Sequence, residues 1–147
     1  MIKIICFGHL KKLQLKELAS DYLRRMNNFP FLKIEIVEFK DDHMINTMRR
    51  IDDYVEKNDG RYILLDENGK DYTTIEFKDF LKPVIEENED ITFIIGGADG
   101  FENDWKKKFE SMKISSMVFT HEMARVLFIE QLYREATLHA GIPYHKE

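Results

Sequence analysis

The sequence has 147 residues, 33% of them charged and 44% apolar, which is typical of a globular protein with a buried core. Its formal net charge of −5 argues against a general nucleic-acid binder. No apolar run approaches the roughly 20 residues that a membrane span needs, and the apolar start, interrupted by Lys3, lacks the cleavage site of a signal peptide. We therefore predict one domain, residues 1–147, that works in the cytoplasm and away from membranes.

The single cysteine, Cys6, lies in an apolar run and has no second cysteine for an internal disulfide. A buried, unreactive thiol in a reducing compartment is therefore expected.

Basic residues are concentrated in the first 50 positions, whereas residues 51–110 are strongly acidic. The basic set is Lys11, Lys12, Lys16, Arg24, Arg25, Arg49 and Arg50. Solvated helix faces explain this set as well as an RNA-facing surface does, so both interpretations stay open.

Apolar patterns that change between strand and helix periods predict ten alternating elements. The predicted strands are Ile2–Phe7, Leu32–Phe39 (at a sheet edge), Tyr62–Leu65, Ile91–Ile95 and Ile114–Phe119. The first two predicted helices are Leu13–Met26 and His43–Glu56. The third begins at a Thr73–Glu76 capping box and is expected to kink or break at Pro83. The fourth carries Trp105, Phe109 and Met112 on its inner side, and the last runs from His121 onward. This alternation predicts an α/β fold with a mostly parallel sheet and flanking helices.

The last helix carries more apolar residues than one face can hold. Met123 and Leu127 lie on one side, and Ile129, Tyr133 and Ala136 lie on another. We therefore expect the sheet of the same chain to cover one side and a second subunit to cover the other.

Ligands of open α/β sheets bind beyond the carboxyl ends of the strands. Three such ends are unusual here: Leu65 before a polar loop, the Gly96–Gly100 turn, and Met117–Phe119 before His121. The glycine turn permits close approach of the backbone to a ligand, but it matches neither the dinucleotide fingerprint nor a phosphate loop. A tight turn with no ligand stays an equal alternative.

Other chemical templates fit less well. No histidine pair has the spacing of metal ligands, so no metal site is expected. His121, which shares a helix face with Arg125, and His145 are also compatible with ordinary structural roles. The proline-fixed tail Pro143–Lys146 suggests docking against another surface.

Four stretches together resemble the ribosomal RNA large subunit methyltransferase H family of small SPOUT-class enzymes. They are Phe93–Gly100, Ser115–His121, Arg125–Arg134 and Tyr144–Lys146, and the strand Ile4–Gly8 and the loop Leu65–Lys70 also fit. The resemblance covers the whole chain, with the motifs in the family's order and spacing.

The resemblance implies a homodimer with a deep C-terminal trefoil knot that uses S-adenosylmethionine. It implies methylation of N3 of a pseudouridine in large-subunit (23S) ribosomal RNA, with the assembled ribosome as partner. By match to the family's motifs, the residues that line the methyl-donor pocket are Leu65, Gly96, Ile114, Ser115, Ser116, Met117, Val118 and Phe119.

We hypothesise that Arg125 and the tail residues Tyr144 and His145, with Lys146, orient the target base and stabilise its anion. The tail is expected to come from the opposite subunit, and His121 is a second candidate; no general base is assigned. Two departures from the family stand out: Thr120 replaces a usual proline, and Glu135 replaces a usual alanine. A related enzyme that methylates transfer RNA and a non-catalytic ribosome-binding dimer stay open as alternatives.

Overall fold

Strands and helices alternate along the chain in the computed structural model of the protein, which describes residues 1–146. The strands are β1 (Ile2–Phe7), β2 (Ile34–Phe39), β3 (Arg61–Lys70), β4 (Ile91–Ile95) and β5 (Glu110–Met112). The helices are α1 (Leu13–Met26), α2 (Met44–Lys57), α3 (Thr74–Glu86), α4 (Asn103–Lys106) and α5 (His121–His139).

The strands form one sheet in the order β2-β1-β4-β3-β5, and all of its strand pairs are parallel. The predicted α/β class and the edge position of β2 are therefore confirmed. The trefoil knot that the resemblance implies stays a prediction.

Helices cover both faces of the sheet. One face packs against α1, α3 and α5, and the ring centroids of Phe93 in β4 and Phe128 in α5 lie 4.7 Å apart there. The other face packs against α2 and α4, with Trp105 and Ile51 among its buried residues. β4 is buried along its whole length because both of its faces meet a core, which explains its unbroken β-branched run.

The predicted final strand Ile114–Phe119 is wrong, and so is the predicted long helix before it. The helix ends at Lys106, and Met112 lies in β5, which pairs with β3. The run 114–119 has no strand partner within the described residues, and the side chains of Met117 and Val118 are each 76% exposed. Apolar composition alone predicted a buried strand, but β5 already occupies the available sheet edge.

Strand β3 continues beyond the predicted end at Leu65. Residues 66–69 leave the register as a bulge, and Lys70 pairs again opposite Met112. Gly69 makes this close approach possible, because a Cβ at that position would lie 2.6 Å from the Met112 backbone. The bulge carries the polar residues that the sequence placed in a loop.

Helix α3 begins at the predicted capping box: the Thr73 hydroxyl accepts from the Glu76 N–H, and the Glu76 carboxylate accepts from the Thr73 N–H. The helix continues through Pro83 to Glu86, so the predicted break does not occur. Burial of Leu81 and Val84 on either side of the proline holds the helix against the core.

The thiol of Cys6 is buried under α5, and burial raises its pKa to about 12. The predicted burial of the thiol is therefore confirmed, and the raised pKa disfavours the reactive thiolate. No helix within residues 1–146 is both long enough and apolar enough to cross a bilayer.

Helix α5 packs mainly against α1 and more lightly against α3 and β4. Its buried face includes Ile129 and Ala136, whereas Met123 is 39% exposed. The predicted contact with the chain's own core is confirmed, and the contact of the other side with a second subunit stays a prediction.

Glu135 is fully buried in α5, and neither of its carboxylate oxygens has a hydrogen-bond partner within the described residues. One turn later, Nε2 of His139 is also buried without a partner among residues 1–146. The charges that act on Glu135 come from Lys78 and Asp79 of α3 and from Arg134 and Glu130 of α5. Burial raises the pKa of Glu135 to about 8 and lowers the pKa of His139, so both side chains are held in their neutral forms.

We predict that replacing Glu135 by Gln removes a pH-dependent loss of stability. Between the ordinary glutamate pKa of 4.5 and the folded value of about 8, the folded state keeps a proton that the unfolded state releases. The stability that this proton contributes to the folded state is therefore fully present below pH 4.5 and is lost as the pH rises to about 8. Urea denaturation of both proteins from pH 5 to 9 measures it as the difference between their unfolding free energies.

The difference in unfolding free energy between wild type and Glu135→Gln reports the titration of Glu135 alone, because His139 titrates in both proteins. Wild type is expected to lose stability relative to Glu135→Gln with rising pH, by a few kcal/mol in total. A difference that stays constant from pH 5 to 9 would contradict the protonated state of Glu135.

Candidate functional site

A cavity of about 750 Å³ opens at the carboxyl ends of β3 and β4, a size suited to a small-molecule ligand. The loop between β5 and α5, residues 113–120, forms one wall, and the turn after β4 forms another. Of the residues predicted to bind a ligand, those that line the cavity are Leu65, Gly96, Ile114, Ser115, Met117, Val118, Phe119 and His121. Seven of the eight predicted pocket residues and one of the four predicted catalytic residues are thus brought together.

Ser116 does not line the cavity. Its hydroxyl accepts a hydrogen bond from Nζ of Lys113 at 2.8 Å, while the Ser115 hydroxyl accepts from the Met117 N–H at 3.0 Å. These two bonds shape the loop locally. Ser116 is exposed and contributes to the shape of the loop through Lys113.

The turn after β4 comes close to an aromatic ring. A Cβ at Gly96 would lie 3.0 Å from the ring of Phe101, whose centroid is 4.7 Å from that of Trp105. Glycine at this position lets the backbone itself form the cavity wall, as the sequence predicted.

An ion pair lines the cavity beside this wall. Nζ of Lys106 in α4 lies 2.6 Å from Oδ2 of Asp66, and the side chains are 18% and 8% exposed. The sequence analysis missed both residues. The position of Asp66 directly after the predicted strand end was a signal that could have found it, whereas nothing local marked Lys106.

The start of α5 is tied to the cavity rim and to the N-terminal segment. The Thr120 hydroxyl accepts from the Met123 N–H at 3.4 Å and so caps the helix. The carboxylate of Glu122 accepts from the Lys11 N–H, which holds the pKa of Glu122 below its ordinary value. The loop that closes the cavity is therefore fixed at its α5 end.

Arg125 does not line the main cavity. Its Nη2 lies 2.8 Å from the Glu38 carboxylate, and its Nη1 donates to the Gly8 carbonyl at 3.3 Å. The side chain is 11% exposed, and Nε has no partner within the described residues. Arg125 instead borders a separate space of about 10 Å³ between His121 and Gly96. The guanidinium joins α5 to the ends of β1 and β2.

Tyr144 and His145 lie against the second half of α5, away from the cavity of their own chain. The Tyr144 hydroxyl donates to Glu130 at 3.0 Å, and Arg134 Nη1 lies 3.3 Å from His145 Nδ1. Glu130 and Arg134 follow His121 by nine and thirteen positions, which corresponds to about 14 and 20 Å along the helix axis. The structure thus separates the predicted tail residues from the predicted pocket within one chain.

The tail is held in place by aromatic packing. The ring of Tyr144 meets that of Tyr133 edge to face at a centroid distance of 4.8 Å, and the Arg134 guanidinium lies 4.9 Å from the Tyr144 ring. Burial, assisted by hydrogen bonds with Tyr22 and Glu130, raises the pKa of Tyr144 well above its ordinary range. The phenol is therefore a hydrogen-bond donor at neutral pH.

The cavity lining carries more acid than base. Four carboxylates and two ammonium groups line it: Asp66, Glu67, Asp99 and Glu122, with Lys12 and Lys106. Such a lining favours a cationic ligand over an anionic one. No three His, Cys, Asp or Glu side chains within residues 1–146 are grouped so that they could hold a metal ion.

A parallel α/β sheet with a cavity under a glycine turn and a C-terminal loop is the arrangement of a SPOUT methyltransferase. The family model described as "Predicted SPOUT methyltransferase" matches residues 1–145.

Similar proteins carry the name ribosomal RNA large subunit methyltransferase H. The protein from Polynucleobacter asymbioticus is 39% identical over 148 residues, covering 99% of this chain and 99% of the relative. The one from Prochlorococcus marinus (strain NATL1A) is 35% identical over 146 residues, covering 99% and 95%. The one from Caldicellulosiruptor saccharolyticus is 33% identical over 157 residues, covering 99% and 100%. The chain belongs to the ribosomal RNA large subunit methyltransferase H family, and the resemblance seen in the sequence is confirmed.

We predict that Arg125 and Glu38 are energetically coupled, because the guanidinium is mostly buried and the carboxylate is its charged partner. A double-mutant cycle with Arg125→Met and Glu38→Gln, measured by urea denaturation, is expected to give a coupling energy of about 1 kcal/mol. Zero coupling, with both single variants as stable as wild type, would show that the guanidinium is free in solution.

Proposed function

We propose that the protein is an S-adenosylmethionine-dependent methyltransferase that methylates N3 of a pseudouridine in 23S ribosomal RNA on the assembled ribosome. The observation that carries the proposal is the cavity at the ends of β3 and β4, lined by seven of the eight residues that the family's motifs assign to the methyl donor. The relatives' printed name supplies the class of RNA. We further propose that the chain acts as a single domain in the cytoplasm.

The residues present fit the methyl donor. The cavity volume of about 750 Å³ is large enough for a nucleoside joined to an amino acid. Backbone at Gly96 and apolar side chains at Leu65 and Ile114 suit a purine ring, and the excess of carboxylates suits a cationic sulfonium. When bound, the donor supplies an electrophilic methyl group.

The chain's own residues must then place the target nitrogen and exclude water, which can lower a barrier by about 7–11 kcal/mol in favourable cases. His121 is available for this at the cavity wall. Arg125, engaged with Glu38, acts by holding the start of α5 in place. The imide nitrogen must also lose its proton, and stabilisation of the resulting anion is the role we propose for the tail.

A homodimer would bring the tail to a cavity. Within one chain, the α5 residues that Tyr144 and His145 contact, Glu130 and Arg134, lie about 14 and 20 Å along α5 from the helix end that borders the pocket. Exposed apolar side chains surround that pocket: Leu13, Met117, Val118, Phe119 and Met123. Such a patch favours burial by another protein surface. A second copy would cover the patch and could deliver its own tail, so we propose that each active site is composed of both subunits.

Three lysines beside the pocket are suited to RNA phosphates. Lys12 lines the cavity, and Lys11 and Lys16 are exposed next to it. None of the three forms an ion pair within residues 1–146, in contrast to Lys106 and Lys113 nearby. Of the two interpretations of the N-terminal basic set, this favours the RNA-facing one for these members.

We predict that the protein binds S-adenosylmethionine and transfers its methyl group to ribosomes. Calorimetry with the donor, followed by methyl transfer and mapping of the modified nucleotide, measures both steps. Free transfer RNA is the matched acceptor control. Donor binding with transfer only to transfer RNA would favour the related knotted enzyme, and absence of donor binding would favour the non-catalytic dimer.

We predict that His145→Ala lowers turnover on ribosomes by about 10²-fold or more while leaving donor affinity unchanged, because the tail acts on the base. Mixing this variant with Gly96→Val, whose side chain would press on Phe101, tests the composite site. In hybrid dimers, the intact pocket of one subunit meets the intact tail of the other, so activity is expected to return. If each tail served its own pocket, the hybrids would stay inactive.

We predict that the double variant Lys11→Gln, Lys12→Gln weakens ribosome binding and lowers the slope of log affinity against log salt by about 1 for each RNA phosphate that is no longer neutralised. Lys33→Gln with Lys57→Gln is the matched control, since both lysines are exposed and precede the amino ends of β2 and β3, away from the cavity at the carboxyl ends. An equal slope in wild type and in the double variant would exclude these lysines from the RNA-binding surface.

A further inference from the structure

The ion pair between Asp66 and Lys106 lies in the pocket lining and is largely enclosed. Its 2.6 Å length and the low exposure of both side chains distinguish it from the exposed pair between Lys107 and Asp104 beside the same short helix. Asp66 also accepts a hydrogen bond from the Asn68 N–H at 3.1 Å. Burial opposes ionisation of Asp66, but Lys106 and this N–H together hold its pKa below the ordinary value.

The pair joins two separate walls of the pocket. Asp66 follows Leu65, the last residue of β3 in register with β4. Lys106 follows Trp105, whose ring packs against Phe101 and, through it, against the turn at Gly96. Apart from this pair, no side-chain hydrogen bond or ion pair among residues 1–146 links the bulge of β3 to α4. Leu65 itself is fixed by the sheet, since it pairs with Ile95 of β4. What depends on the ion pair is therefore the position of the bulge relative to α4.

We propose that Asp66 and Lys106 are positioning residues that hold the bulge of β3 against α4 at the methyl-donor pocket and cancel each other's charge there. The proposal rests on the proposed function. It assigns neither residue to the reacting atoms: the pair acts on donor binding through the positions of the bulge and of α4, which both line the pocket.

Each partner alone would harm the pocket in a different way. Asp66→Asn leaves an unpaired ammonium group facing a cavity that takes a cationic sulfonium, so repulsion adds to the weakened link between the walls. Lys106→Met leaves a carboxylate that is poorly hydrated and held only by the Asn68 N–H. Because the freed negative charge attracts a cationic sulfonium, a loss of affinity in this variant reports the loosened link between the bulge and α4. A charge-swapped pair, Asp66→Lys with Lys106→Asp, restores the link between the walls with its polarity reversed.

The test measures donor affinity by calorimetry and the donor KM and kcat on ribosomes for the two single variants, the swap, and Lys106→Arg. Each single variant is expected to weaken donor affinity about tenfold, within the range of coupling between contacting residues. The kcat at saturating donor is expected to stay within about twofold of wild type. Lys106→Arg keeps the charge and is expected to bind like wild type, and the swap is expected to recover part of the affinity.

Lys107→Met, which breaks the exposed pair beside the same helix, is the matched control and is expected to bind the donor like wild type. Thermal unfolding identifies any variant that fails to fold, and Lys106→Arg and the swap then decide the question. Single variants with wild-type donor affinity would overturn the proposal. So would a lowered kcat with unchanged donor affinity, or a swap that binds no better than the weaker single variant. A wild-type protein that binds no donor would overturn the proposed function itself and the pair's role with it.

Discussion

The anchoring of the first turns of α5 to the N-terminal segment is the constraint on which the pocket depends. Glu122 accepts the Lys11 N–H, and Arg125 reaches the Gly8 carbonyl and Glu38. At the other end of the loop, the Lys113 N–H donates to the Lys70 carbonyl at 3.0 Å. Loop 113–120 is thus held at both ends while its middle carries exposed apolar side chains. A loop with this composition would collapse or become disordered without such fixed ends.

The large core under α5 supports this anchoring. Phe128 and Leu132 are buried against the same sheet face that carries Phe93, so the helix cannot move without exposing aromatic surface. The rigidity of the helix is transmitted to both of its termini, where the pocket wall and the tail lie. Packing of α5 therefore fixes both the pocket wall and the tail, although the two do not contact each other within one chain.

Sequence periodicity was enough to predict most of the strands and helices, but it predicted little of the candidate site. β4 and α1 were predicted with the bounds that the structure shows, because a buried strand and an amphipathic helix leave strong local patterns. The run 114–119 was misassigned because an apolar segment that lines a cavity has the composition of a strand. The role of Lys106 depends on a residue forty positions away, which no local pattern records.

The proposed donor pocket was predicted from family motifs, and such motifs identify positions but not the interactions that each side chain makes. Arg125 was our own catalytic candidate, and its partners in the structure are a carboxylate and a carbonyl of its own chain. The tail was expected to come from the opposite subunit, and within one chain it lies away from the pocket. Burial and hydrogen-bond partners are properties of the folded chain, which motifs do not record.

The buried, neutral side chains of Glu135 and His139 have a consequence for how α5 docks onto the sheet. Before docking, a water-exposed α5 would carry an anionic Glu135 and, below the ordinary histidine pKa of 6.5, a cationic His139 one turn later. That order and spacing favour an isolated helix, so the nascent segment would gain a small stabilisation from the pair. Between pH 4.5 and 6.5, docking then adds a proton at Glu135 and removes one from His139, which leaves the net charge of the chain unchanged. Above pH 6.5, His139 is already mostly neutral before docking, so only the uptake of a proton by Glu135 remains.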